Sequence, residues 1–288
     1  MKNIKQILLT TLMVLVAVVL IACGNSDNAG EGKDALAQIQ DKGELNIGTS
    51  PDYPPMEFYI LDENGNRQIV GSDISLAQAI ADEIGVELKI TTTDFDGVIA
   101  NVQSGSVDLG LAGFTFTERR AEVMQFSEGY LQESELGFQG IMMTEETADQ
   151  YDSLEAIQSA NLVLGAQTGS IQYELASGLT EATSIKQYGT LDVGLAALNE
   201  GDIDGMIVST SSAEPMLATF PNLVILPKEN FDLDPERLYS TNSVTIPMGD
   251  QNASLLELVN KVIIENKENG NIAKWHAEAI ELSRKAVE

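Results

Sequence analysis

Few side chains among the 288 residues could carry out covalent chemistry. His276 is the single histidine, beside Trp275 near the C-terminus, and reads as a helix-surface residue far from any strand end. A Ser-His or Cys-His mechanism would have to use it. Cys23 is the single cysteine, so no internal disulfide exists. Metal sites need clusters of His, Cys or close carboxylates, and the run 231–236 (FDLDPE) is too short and isolated to count. The run 62–66 (DENGN) lacks the sixth-position Gly and twelfth-position Glu of a calcium loop, and no Gly-Lys-Ser/Thr phosphate loop is present. The expectation is a protein that is not an enzyme, with no cofactor and no metal.

Binding chemistry is better represented. The run 113–120 (GFTFTERR) follows a buried strand and opens a helix. Thr117 suits the N-cap, Glu118 complements the helix dipole, and the free amides at such an end favour an anion. Arg120 can hold a carboxylate with two parallel hydrogen bonds, and Thr115 adds a hydroxyl. Read alone, a surface Arg paired with a nearby Glu is the commoner arrangement, because exposed ion pairs are frequent.

The elements around this run alternate strand and helix. Leu45 and Ile47 alternate in a strand, and Asn64-Gly65 sits between 58–61 (FYIL) and 67–71 (RQIVG) as a hairpin turn. Asp73 looks like the N-cap of a helix with apolar face Ile74, Ala77, Ile80, Ala81 and Ile84, stopped at Gly85. Val86, Leu88 and Ile90 follow as a strand, then a helix through Val98, Ile99 and Val102 ends at Gly105, before the strand 107–111. After Glu135 the order recurs: strands at 137–142, 162–165, near Ser184 and at 203–208, with helices near Leu154, at 171–176 and at 190–199. Such alternation predicts mostly parallel sheets with helices on both faces. Within it, 102–113 (VQSGSVDLGLAG) echoes 198–209 (LNEGDIDGMIVS), pairing Gly105 with Gly201, Val107 with Ile203 and Asp108 with Asp204. Ligands of open α/β sheets bind beyond the carboxyl ends of strands, so two such ends would face one another across a cleft. A chance recurrence of a common strand–helix idiom accounts for so short an echo nearly as well.

Charge and length bound the rest. Lys2 and Lys5 are the only charges in residues 1–22, so losing that segment takes the net charge from −28 to −30 and leaves 266 residues. That length suits two domains with ample core. The acidity argues against nucleic acid and against a basic membrane patch. At the N-terminus, the two lysines precede an apolar stretch, 7–22, too short for a comfortable span and ending in Leu20-Ile21-Ala22-Cys23-Gly24. This resembles the bacterial lipobox, which implies cleavage before Cys23, a diacylglyceryl group on its thiol, palmitate as a lipid modification, and an extracytoplasmic protein tethered to the cell membrane. Residues 23–34 read as the flexible tether.

Several runs are similar to the polar amino-acid-binding proteins that feed bacterial ABC importers, especially the glutamine-binding branch. They are 48–58 (GTSPDYPPMEF), 71–86 (GSDISLAQAIADEIGV), 94–120 (DFDGVIANVQSGSVDLGLAGFTFTERR), 126–130 (FSEGY), 165–174 (GAQTGSIQYE) and 198–208 (LNEGDIDGMIV). The resemblance spans nearly all of the chain after Cys23. It implies a two-lobed, periplasmic-binding-protein-like α/β fold (type II, Venus flytrap), with lobe 1 formed by 35–133 plus 244–288 and lobe 2 by 134–243. The crossings fall near 132–135 and 239–243, with the final helices 255–268 and 272–282 packed on lobe 1. It also implies a monomer with an ABC permease as partner.

Carried over residue by residue, Tyr53 and Phe95 resemble the walls that sandwich a ligand side chain, although plain core packing is their alternative. Gly113 would offer a carbonyl to the α-ammonium, and Thr115 and Arg120 would hold the α-carboxylate. The loop of Gln167, Ser170 and Ile171 would add amides and a side-chain contact. Departures from the pattern set the limits. Ser209 stands where an Asp commonly pairs with the ammonium, and a neutral hydroxyl cannot replace a charge-assisted bond; Glu214, one helical turn on, is the candidate substitute. Ser50 stands where binders of basic residues often keep an Asp, which favours a polar or neutral ligand over a basic one. Met56 and Ser72 replace usual Phe residues. The competing reading is a cyclohexadienyl- or arogenate-dehydratase-like enzyme on the same scaffold, which needs a protonated acid in the cleft, with Asp52, Glu57 and Glu214 as candidates.

Overall fold

The structure, a computed structural model, describes residues 33–132 and 137–287. The expected signal segment, the lipidation at Cys23 and nearly all of the tether lie outside those residues, as does most of the first expected crossing. None of the described helices is long and apolar enough to cross a membrane.

The chain builds two five-stranded sheets. The first runs in the order Glu87–Thr92, Glu44–Thr49, Leu109–Gly110, Thr245–Pro247, Met124–Phe126; the second runs Ile185–Tyr188, Leu164–Gln167, Gly205–Ser209, Gln139–Thr144, Leu223–Ile225. In each, the first three strands are parallel and the last two pair antiparallel. The mixed ends come from the crossings. The strand after the second crossing enters the first sheet and the strand after the first crossing enters the second, each running against its neighbours. Leu131–Gln132 and Thr241–Asn242 pair with each other as a two-stranded ribbon beside these crossings.

Local sequence explains most boundaries. Asp34 caps the helix Ala35–Lys42 by accepting from the Ala37 amide. The helices ending before Gly43, Gly85, Gly105 and Gly201 stop because those glycines take left-handed backbone, which frees the last carbonyls to be bonded. The hairpin forms as expected, with the Asp62 carboxylate bonding the Asn64 and Asn66 amides between Glu57–Leu61 and Arg67–Val70. Ser72–Ile84 buries Leu76, Ala77, Ile80 and Ala81 against Ala253–Glu268 and Asn271–Ser283, which contribute Leu255, Val259, Val262, Ile263 and Ile272 to one core. The second sheet has its own cores on both faces, around Ile141, Leu164 and Ile207 on one and Met142, Leu195 and Met206 on the other.

The internal echo is structural. Asp108 accepts from the Asn46 amide at 2.8 Å and its own amide donates to the Asn46 carbonyl at 2.8 Å; Asp204 does the same with Val163 at the same distances. Each Asp thereby fixes the start of the strand beside it.

Two local expectations are corrected. Gly71, not Asp73, occupies the cap position of its helix, and Asp73 is buried in the first turn. The rule that a polar residue precedes an apolar run misplaces it, because Asp73 faces inward, accepting from the Tyr130 hydroxyl at 2.7 Å and the Gly113 amide at 3.0 Å. His276 is 4% exposed rather than a surface residue, and its Nδ1 lies 3.3 Å from Ser72 Oγ. Ser72 Oγ in turn meets Met56 Sδ at 3.3 Å, so the two departures from the usual Phe pair pack on one another and leave room for the imidazole.

Candidate ligand-binding cleft

The carboxyl ends of the two sheets face one another across a cleft, and the residues there come from both. Tyr53, Phe95, Gly113, Thr115 and Arg120 line it from the first sheet's side, and Gln167, Ser170 and Ile171 from the second. Ser209 and Glu214 do not. Ser209 is buried with its hydroxyl 2.9 Å from that of Ser211, and Glu214 opens onto a separate cavity with His276 and Arg284. Ser50, Asp52, Glu57, Ala112, Gln139 and Gln172 complete the lining. Gln139 and Gln172 went unnoticed in the sequence because a strand and a helix hide them; they meet through a 2.9 Å hydrogen bond.

Arg120 is held from three directions. Thr117 caps its short helix by accepting from the Arg120 amide. The guanidinium donates to the Thr115 carbonyl at 2.8 Å and to the Gly169 carbonyl of the opposite lobe at 3.2 Å. Its carbon lies 5.3 Å from the Phe95 ring centre and 5.6 Å from that of Phe114. Burial draws its pKa down to about 10, so it stays charged at neutral pH. A buried guanidinium held only by carbonyls and aromatic faces is a prepared anion site. Gly113 sits at φ +57°, and a Cβ there would lie 2.8 Å from the Tyr53 ring. Only glycine lets Tyr53 pack over this stretch of backbone.

The acidic side of the cleft lies wholly in the first lobe. Asp52 accepts from Ser50 Oγ and reaches across to Gln167 Nε2 at 2.9 Å and to the Leu191 amide at 2.6 Å, the first residue of the helix Leu191–Glu200. Burial raises its pKa to about 6, against the pull of the Ser50 and Leu191 bonds. Glu57 is fully buried, and burial followed by the charges of Asp73 and Asp52 pushes its pKa well above the usual carboxylate range. The lobes are closed on one another. The exposed pair Arg119–Glu174 spans them at 3.4 Å, and the enclosed space is about 20 Å³. A larger cavity of about 620 Å³ adjoins it at Ser50 and Asp52. Among the described residues, no group of His, Cys, Asp and Glu is arranged to hold a metal.

Two mixed sheets facing across a cleft, with a buried arginine on one side and backbone amides on the other, define a two-lobed solute-binding fold. The chain belongs to the bacterial extracellular solute-binding proteins, family 3, whose model matches residues 45–280. It is 26% identical over 272 residues to the arginine-binding extracellular protein ArtP of Bacillus subtilis, covering 94% of this chain and 96% of that protein. It is 24% identical over 220 residues to a probable histidine-binding protein of Campylobacter jejuni, covering 76% and 80%. A crystal structure of the Streptococcus pneumoniae amino acid ABC transporter substrate-binding protein AbpA bound to L-arginine superposes with a TM-score of 0.74 at 31% identity, covering 86% and 98%. The ancestral amino acid-binding protein AncCDT-1, a precursor of cyclohexadienyl dehydratase, superposes at 0.71 with 26% identity, covering 85% and 99%.

Proposed function

We propose that this protein is the substrate-binding lipoprotein of an ABC importer, tethered outside the cytoplasm by a lipid on Cys23. It captures an amino acid between the lobes 35–133 plus 244–288 and 134–243 and delivers it to a membrane permease. The observation that carries this is Arg120, a buried cation to which no carboxylate is bonded among the described residues, bonded to the Thr115 carbonyl and sharing the cleft lining with Ser170. In this reading Arg120, Thr115 and the amides near Ser170 and Ile171 take the α-carboxylate, and Tyr53 and Phe95 flank the side chain. The preference for a polar or neutral ligand rested on Ser50. Its hydroxyl bonds Asp52, so a half-buried carboxylate stands two residues from the expected position, at the mouth of the larger cavity. With relatives named for arginine and histidine, Asp52 favours an amino acid with a cationic side chain. Calorimetry on the twenty amino acids and small derivatives tests the proposal; binding of L-arginine or L-histidine supports it, and no heat with any compound sinks it.

Glu57, a carboxyl lining the cleft whose pKa burial raises, also suits the dehydratase-like alternative, in which an acid assists loss of a leaving group. Turnover of prephenate or arogenate by the purified protein would establish that reading in place of the first.

A further inference from the structure

The lobe that commonly supplies the ammonium's counter-charge supplies none here. The second lobe lines the cleft with Gln139, Gln167, Ser170, Ile171 and Gln172, all neutral. Of the two carboxyl groups in the lining, Asp52 is already engaged by three donors. Glu57 is 0% exposed, and neither of its side-chain oxygens accepts a hydrogen bond. An ionised carboxylate in that position is costly, and burial together with the charges of Asp73 and Asp52 raises its pKa well above the ordinary carboxylate range. Asp73 is saturated from the other side by the Tyr130 hydroxyl and the Gly113 amide. The same Gly113 lines the cleft beside Glu57. A neutral acid walled into a cleft that lacks a counter-charge is a place prepared for an arriving cation.

We infer that Glu57 is the counter-charge for the ligand's α-ammonium, in place of the second-lobe acid that Ser209 replaces, and that it releases its proton when the ligand binds. The inference rests on the proposed function. The exchange balances: the O–H bond of Glu57 breaks, its electron pair stays on the carboxylate facing the ammonium, and the proton leaves to the buffer. The titratable and charged groups around Glu57 are Asp73 on the helix Ser72–Ile84, Asp52 on the neighbouring strand, Tyr130 beyond Asp73, and Arg120 in the cleft wall. His276 meets Ser72 from the C-terminal helix. At pH 8 Asp52 is ionised before the ligand arrives, because its pKa is about 6, so it has no proton to release.

The test is calorimetry of the purified protein at pH 8 with L-arginine, L-histidine, L-cystine and L-glutamine, in buffers of different ionisation enthalpy. The tightest binder of the four is expected to release about one proton, with affinity rising about tenfold per pH unit while free Glu57 stays protonated. Its deamino analogue is expected to release none. Glu57→Gln, which keeps size and polarity, is expected to abolish the release and to weaken binding at least tenfold. Asp52→Asn is expected to leave the stoichiometry at one proton. Binding without proton release, or release that persists in Glu57→Gln or with the deamino analogue, overturns this inference and leaves the proposed function standing. Failure of all amino acids to bind overturns both.

Discussion

Arg120 and His276 are both buried bases, but burial acts on them to opposite ends. Arg120 keeps its charge because a guanidinium is too strong a base for its site to neutralise. Replacing it by Ala removes charge-assisted bonds worth about 1.5–3 kcal/mol, so ligand affinity should fall by about 10- to 150-fold in calorimetry. Arg120→Lys should recover only part, since an ammonium lacks the planar fork. His276 instead loses its charge, with burial lowering its pKa from 6.5 to about 4. A base with a depressed folded pKa stabilises the fold above its unfolded value, and that stability drains as pH falls from 6.5 toward 4. The full loss is about 3 kcal/mol, at ~1.4 kcal/mol per unit. Melting curves across that range should show His276→Gln less acid-sensitive than the parent. Asp52 runs the other way: its folded pKa near 6 lies above the ordinary 3.8, so protonation favours the folded over the unfolded state as pH falls from 6 toward 4. In Asp52→Asn that compensation disappears, and the acid destabilisation should steepen.

The elements show which information is local. Helix stops at Gly85, Gly105 and Gly201, the hairpin at Asn64-Gly65 and the cap at Thr117 were legible because each is decided by residues within a few positions. Tyr53, Phe95, Gly113, Thr115, Arg120 and the Gln167–Ile171 loop were legible through long specific runs, and the structure brings them to one cleft. What stayed hidden depends on distant partners. Asp52 reads only as one of three candidate cleft acids until Gln167 and Leu191, 115 and 139 positions away, come against it. Asp73 reads as a cap until Tyr130 and Gly113 claim its oxygens, and Glu214 reads as a nearby acid until its short helix points it to another cavity. The turn at Gly113 makes its own prediction. With φ at +57° and Tyr53 against it, Gly113→Ala should push the ring aside and weaken binding by tenfold or more, with a stability loss of about 1–2 kcal/mol in urea titration.

At the scale of the whole molecule, the described contacts across the cleft include the polar bonds Arg120 to Gly169 and Asp52 to Gln167 and Leu191, the exposed pair Arg119–Glu174, and Tyr53 packed against the second lobe's core around Leu191. Exposed pairs contribute about 0–1 kcal/mol, so the closed state depends on the buried groups that also line the cleft. Small-angle scattering should therefore show the radius of gyration fall when ligand binds. Closure by a molecule that touches both lobes is hinge motion, and the ribbon of Leu131–Gln132 with Thr241–Asn242 is where the chain can bend.

The sheet order also governs how the molecule is made. Met124–Phe126 has one sheet neighbour, Thr245–Pro247, which lies beyond the whole of the second sheet in sequence. A chain emerging from its N-terminus must hold that edge strand unmatched while the second sheet, drawn from one continuous stretch, completes itself. The first sheet is begun first and finished last, so its assembly depends on the slowest and most distant pairing in the molecule.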